Sequence, residues 1–148
     1  VIFESRFRVR APLAEVVEFH RHAAALKAIS PPFPPLQILA APDPLEAGAT
    51  MTLRFWLGPI PLRWRAALED LPGDVGFRDR MVEGPFAEWC HEHRFVGAGE
   101  RETWIEDRIE ARLPAAPLRA LLALGLWAGL RPMFLYRAWR TRRLLERA

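Results

Sequence analysis

The stretch Gly84-Pro85-Phe86-Ala87-Glu88-Trp89-Cys90-His91-Glu92-His93-Arg94-Phe95 opens on a turn signal and then alternates. Successive side chains of a strand point to opposite faces. Trp89, His91, His93 and Phe95 then share one face, while Glu88, Cys90, Glu92 and Arg94 share the other. The second face is the wet one. The first aims two imidazoles, set between two aromatic rings, at whatever the protein encloses.

The neighbouring segments repeat this pattern in hairpin rhythm. Ala49–Leu57 sends Met51, Leu53, Phe55 and Leu57 to one side, and Gly58-Pro59 turns the chain. Ile60–Leu68 sends Leu62, Trp64, Ala66 and Leu68 inward before the turn at Leu71-Pro72-Gly73-Asp74. Val75–Glu83 places Phe77, Asp79 and Met81 on one face, with Arg78 and Arg80 on the other. Beyond Gly97-Ala98-Gly99, Arg101–Leu113 has Thr103, Ile105, Asp107, Ile109 and Ala111 inward. Tight turns between alternating runs predict antiparallel pairing. Val1–Arg10 and Leu36–Ala40 read as two further strands, the first with Phe3, Ser5, Phe7 and Val9 on its dry side.

Helical spacing appears in two places. Ala11-Pro12 starts a helix that runs to about Leu26, carrying His20 and His22 as surface or half-buried residues. Ser30-Pro31-Pro32-Phe33-Pro34-Pro35 follows as a rigid connector, and Pro42–Gly48 as a turn. Pro114 ends the sheet, Pro117 opens the last helix, and residues 118–146 read as one long helix. Ala120–Leu130 is apolar all round, and Pro132 would kink or break the helix. The run between Arg119 and Arg131 is eleven residues, short of the ~20 that span a bilayer. The expectation is a buried helix whose Gly125 and Gly129 allow close approach to the sheet.

Composition bounds the rest. The 148 residues, 51% hydrophobic and 26% charged, suit one globular domain over 1–148. Six Trp and nine Phe against one Tyr suit a large core or an aromatic-lined pocket. The single Cys90 excludes an internal disulfide and a Cys-based zinc cluster. No signal peptide opens the chain, so a cytoplasmic location is expected. Residues 131–148 hold six Arg and one Glu, whereas residues 1–130 hold fifteen basic and seventeen acidic residues. The basic end reads as a solvated helix terminus, with membrane or partner docking as the other reading. No basic patch interleaves with aromatics along the strands, so nucleic acid is not expected as a partner.

The order of strand, helix, connector, six hairpin strands and long helix resembles the helix-grip fold of the START-like superfamily. More locally the chain resembles the bacterial SRPBCC branch, the polyketide cyclase/dehydrase-like ligand-binding proteins. The matching pieces are Ala11-Pro12, Val16 to His20, Ser30-Pro31-Pro32, Phe77-x-Asp79 and the Gly84-Pro85-Phe86-x-x-Trp89-x-His91-x-His93-x-Phe95 run, continued by Thr103 and Asp107. The resemblance implies an α+β fold. A curved antiparallel sheet of about seven strands would wrap round a long C-terminal helix, with a short N-terminal helical segment. It implies a small hydrophobic ligand in a cavity between sheet and helix, and no cofactor or metal.

The expected apolar lining is Phe55, Trp64, Phe77, Met81, Trp89 and Ile105. Four titratable groups share that face: Asp79, His91, His93 and Asp107. A tight turn at Gly84-Pro85 would set Asp79 across from His91 and Phe77 across from His93. A two-residue slip keeps the faces and changes the partners. The cluster reads as a hydrogen-bonded network that holds register, as an acid–base pair orienting or transforming ligand, or as a two-His, one-Asp metal site. A binder or carrier of an aromatic, polyketide-like or lipid-like molecule is the leading function. A cyclase or dehydratase using the His–Asp cluster and a docking protein acting through the basic helix stand behind it. Either a monomer or a homodimer fits.

Overall fold

The computed structural model describes residues 1–146. Arg147 and Ala148, part of the basic C-terminal segment, lie outside the described residues. The elements are β1 (Ile2–Val9), α1 (Leu13–His20), α2 (Ala23–Ile29) and β2 (Leu36–Ala40). Next come β3 (Thr50–Leu57), β4 (Ile60–Asp70), β5 (Gly76–Glu83), β6 (Glu88–Gly97) and β7 (Thr103–Arg112), then α3 (Pro117–Ala128) and α4 (Leu130–Leu145). One seven-stranded sheet runs in the order β1-β7-β6-β5-β4-β3-β2, antiparallel throughout. β3 to β7 is a meander of hairpins, and the N-terminal strand closes on β7. Thr103 Oγ1 donates to the Ala11 carbonyl at 2.9 Å, tying that closure to the start of α1.

The N-terminal helix differs from the expected single element. It breaks at Arg21-His22, where His22 adopts extended angles and begins α2. The Leu45 N–H donates to the Arg21 carbonyl at 2.6 Å, removing the acceptor that an unbroken helix would use. His22 then bridges Asp43 and Glu18. The Pro42–Gly48 turn therefore splits the helix.

The C-terminal helix also divides, and not at Pro132. It breaks at Gly129, with Pro132 in the first turn of α4. A proline ring collides with the carbonyl four residues earlier, here that of Ala128, so the helix must end there. In the new first turn the missing N–H costs nothing. α3 is not the buried helix expected from its apolar run: only Ala123 is buried, and Leu118 and Leu121 are 83% and 68% exposed. A Cβ at Gly125 would meet nothing within 4 Å, so this glycine serves no close approach to the sheet.

α4 is the helix that the sheet grips. It packs on β1 and α2 and buries Leu130, Phe134, Arg137, Ala138 and Thr141. The four positions 130, 134, 137 and 141 form one helical stripe. Arg131, Arg142 and Arg143 of the basic segment are exposed, the last two in the final turn as a solvated helix end would have them, while Arg137 and the rest of the inward stripe belong to the core. By length and composition alone Pro117–Leu145 is long and apolar enough to cross a membrane. Its C-terminal half carries Arg137, Arg140, Arg142 and Arg143 and packs on the sheet, whereas its apolar N-terminal half is largely exposed.

Candidate functional site

A cavity of about 570 Å³ lies between the inner face of the sheet and the helices. That volume is in the range of small-molecule sites. The sheet contributes Leu53, Phe55, Trp64, Trp89 and Ile109, and the helices Leu126, Leu130 and Phe134. Aromatic rings meet edge to face, with Trp64 and Trp89 centroids 4.8 Å apart. That arrangement suits the ring quadrupoles and fixes the wall.

The polar cluster sits on three adjacent strands. Register places Asp79 opposite His91, Phe77 opposite His93, and His93 opposite Asp107. The hydrogen bonds instead run diagonally. His91 Nε2 lies 2.8 Å from Asp107 Oδ1, and His93 Nε2 lies 2.6 Å from Asp79 Oδ2. The directly opposed pairs are longer, at 3.9 Å for His91–Asp79 and 3.4 Å for His93–Asp107. The imidazoles stack on each other at 3.7 Å, and Phe77 covers His93 at 4.2 Å. The result is a closed ring of two carboxylates and two imidazoles.

Its electrostatics follow from burial and pairing. Burial pushes the Asp107 carboxyl up, but the His91 hydrogen bond and the nearby His91, His93 and Arg137 outweigh it, leaving a pKa of about 2. Asp79 feels the same burial and is likewise held low by the His93 bond and the charges of His91, His93 and Arg137. Burial and neighbouring His91 push His93 down. With both carboxylates ionised, each Nε2–H donates and each carboxylate accepts.

A second polar group faces the cavity from α4. Arg137 is 9% exposed, and Thr141 is 0% exposed. The Arg137 guanidinium lies 4.9 Å over the Phe134 ring. Burial lowers its pKa, against the attraction of Asp107 and Asp79. Among the described residues no carboxylate comes within ion-pairing distance of it. Its Nε and the Thr141 Oγ1 are buried without a hydrogen-bond partner in the protein. His20 joins the same end. It donates from Nδ1 to the Val16 carbonyl at 2.8 Å, and burial brings its pKa down to about 4.

Of the lining residues expected from the sequence, Phe55, Trp64, Phe77, Asp79, Trp89, His91, His93, Ile105 and Asp107 all border the cavity. Met81 does not. The β4–β5 pairing shifts between Arg65 and Ala66, and the Gly84-Pro85-Phe86 turn folds over Met81. Phe86 borders the cavity instead. The sequence reading missed Arg137, Thr141, Phe134 and His20. The signal for the first three was the 130, 134, 137, 141 stripe, masked by the surrounding arginines.

Asp79, His91 and His93 offer ligand atoms within 4.8 Å of one another, close enough to share a cation. The Arg137 charge opposes a cation there. The hydrogen-bonded ring is the chemistry the site carries as built.

This architecture is the START-like helix-grip fold. Norcoclaurine synthase from Thalictrum flavum, solved in complex with dopamine and hydroxybenzaldehyde, is similar over 100% of this chain and 88% of its own, at 15% identity and TM-score 0.68. A START superfamily protein from Mycobacterium smegmatis aligns over 97% of this chain and 98% of its own, at 16% identity and TM-score 0.59. A nucleoside-diphosphate sugar epimerase from Corynebacterium glutamicum reaches 27% identity and TM-score 0.68 over 95% of this chain but only 28% of its own. No family model and no curated protein matches the chain.

Proposed function

We propose that this protein binds a small hydrophobic molecule between its sheet and its C-terminal helices. The observation that carries this is the aromatic-lined cavity of about 570 Å³. Norcoclaurine synthase, on the same fold, is solved with dopamine and hydroxybenzaldehyde, which supports a small-molecule ligand for this chain. A cyclase or dehydratase would need a base free to take a proton from its substrate. Here both Nε2–H groups and both carboxylates are committed to one another, which favours binding over turnover.

The test is displacement of N-phenyl-1-naphthylamine, a neutral apolar fluorophore, together with quenching of the Trp64 and Trp89 emission. Gly125 lies on the rim, where an added side chain meets no neighbour. Gly125→Trp is expected to fill the entrance and weaken the fluorophore by at least about tenfold, the scale of one blocked apolar contact. Unaltered binding in Gly125→Trp, or none in the wild type, rules the reading out.

A specific observation favours acquisition of that ligand from an anionic bilayer. Residues 111–145 hold seven Arg and no acidic residue. Leu118 and Leu121 are exposed on α3, and Phe33, 81% exposed, borders the cavity together with Gly125 and Gly129. Apolar side chains beside arginines suit insertion at a headgroup boundary. Sedimentation with phosphatidylglycerol vesicles is expected, weakened about tenfold by Leu121→Asp. Equal sedimentation of the two proteins, or none of either, counts against docking.

A further inference from the structure

Resting on the reading of the cavity as a hydrophobic ligand site, we infer that the ligand carries a carbonyl or carboxylate oxygen, which Arg137 and Thr141 bind. The two residues lie four apart on α4, so their side chains stack on one helix face. That face borders the cavity. Both side chains are buried, and Arg137 Nε and Thr141 Oγ1 have no partner within the protein. Unpaired buried donors are costly and uncommon, and one on a charged side chain such as Arg137 Nε more so.

The two carboxylates that could have served Arg137 are engaged elsewhere. Asp107 accepts from His91 at 2.8 Å, and Asp79 from His93 at 2.6 Å. They attract the guanidinium from a distance and hold its charge in the cavity, but do not pair with it. A guanidinium so placed presents forked donors to an oxygen from the cavity side. The Thr141 hydroxyl donates beside it. Apart from the His–Asp ring, whose groups bond one another, and His20, whose Nδ1 bonds the Val16 carbonyl, the wall is mainly aromatic and aliphatic, so the oxygen sits at the end of a largely apolar body. Carboxylate and neutral carbonyl share this acceptor chemistry and differ only in charge.

Three naphthalenes of one shape separate these features. 2-Ethylnaphthalene has no oxygen, 2-acetylnaphthalene has a neutral carbonyl, and 2-naphthoic acid has a carboxylate. Each is titrated against N-phenyl-1-naphthylamine bound to the full chain. At least one oxygenated compound is expected to bind about tenfold or more tighter than 2-ethylnaphthalene, the scale of one charge-assisted hydrogen bond. The tighter of the two tells whether the head is charged. Arg137→Met should shrink the ratio of oxygenated to hydrocarbon affinity toward one, and Thr141→Val should reduce it in part. Replacing an unpaired buried cation by an apolar side chain of similar length is not expected to unfold the protein, which thermal unfolding checks. Equal affinities of all three compounds in the wild type overturn the inference without any variant. So does a preference that survives in both variants, or a series that fails to displace a fluorophore that itself binds. If the fluorophore and the series all fail to bind, the hydrophobic-ligand reading falls and this inference with it.

Discussion

Asp107→Ala is expected to lower the unfolding free energy by about 3–5 kcal/mol, the range for removing one partner of a buried charged network. Asp107 is buried on β7 and accepts from His91 Nε2. Its loss orphans that N–H in a dry site and takes away one of two carboxylates that stabilise Arg137. Asp107→Asn keeps the shape and an acceptor oxygen, so it should cost less. Urea denaturation at pH 7 followed by circular dichroism measures both. A cost below about 1 kcal/mol for Asp107→Ala, the level of an exposed ion pair, would show that the ring adds little.

The pH profile of that difference reports on the Asp107 charge. Its folded pKa of about 2 lies below the unfolded value. A group depressed in this way stabilises the fold above its unfolded pKa, about 3.9, and loses that stabilisation as pH falls through the folded value. The wild type and Asp107→Ala should therefore converge by about 2–3 kcal/mol between about pH 5 and pH 1. His20, brought down to about 4 by burial, acts at higher pH. As pH falls from about 6.5 the unfolded chain binds a proton there that the folded chain refuses, so both proteins lose stability. Asp107 is among the charges that raise the His20 value, so that loss is somewhat larger in Asp107→Ala and widens the difference above about pH 4, opposite in sign to the convergence at lower pH.

The strand faces were legible because period-two alternation is a local property. Trp89, His91, His93 and Phe95 do face inward, and the Gly84-Pro85 turn set Asp79 against His91 as read. The diagonal bonding was not legible, because it depends on how two imidazoles stack once the sheet twists. The N-terminal break could not be placed from local pattern, because it is made by Leu45, a residue of a distant turn. The C-terminal break was signalled by Pro132 and falls at Gly129, as its ring reaches back one turn to Ala128. Arg137 was the largest omission. In the sequence it is one arginine of a basic segment, and only the stripe of Leu130, Phe134 and Thr141 marks it as inward. The consequence is functional, since the basic segment supplies part of the cavity wall through Arg137 and Thr141.

Gly76→Ala is expected to cost about 3 kcal/mol or more, combining backbone strain with a collision in the sheet. Gly76 starts β5 with φ +148°, a conformation that side-chain-bearing residues rarely adopt. A Cβ there would run into the backbone carbonyl of His93 and come within 3.1 Å of Arg94 Cα. Neither atom can yield as a flexible side chain would. Gly76 pairs with Arg94 at the first rung of the β5–β6 ladder, one residue before Phe77 meets His93. Relief of the collision must push β6 away from β5, and the 2.6 Å bond between His93 and Asp79 spans those strands. Stability and site geometry should therefore fail together. Gly73→Ala supplies the contrast: it has φ +81° with nothing within 4 Å of a Cβ, so it carries strain alone and should cost about 1 kcal/mol. Chemical denaturation gives the two costs, and the imidazole proton resonances report whether His93 keeps its partner. Equal costs in the two variants, with the His93 resonances unmoved, would mean that the strands separate there without resistance and that Gly76 does not hold the ring in register.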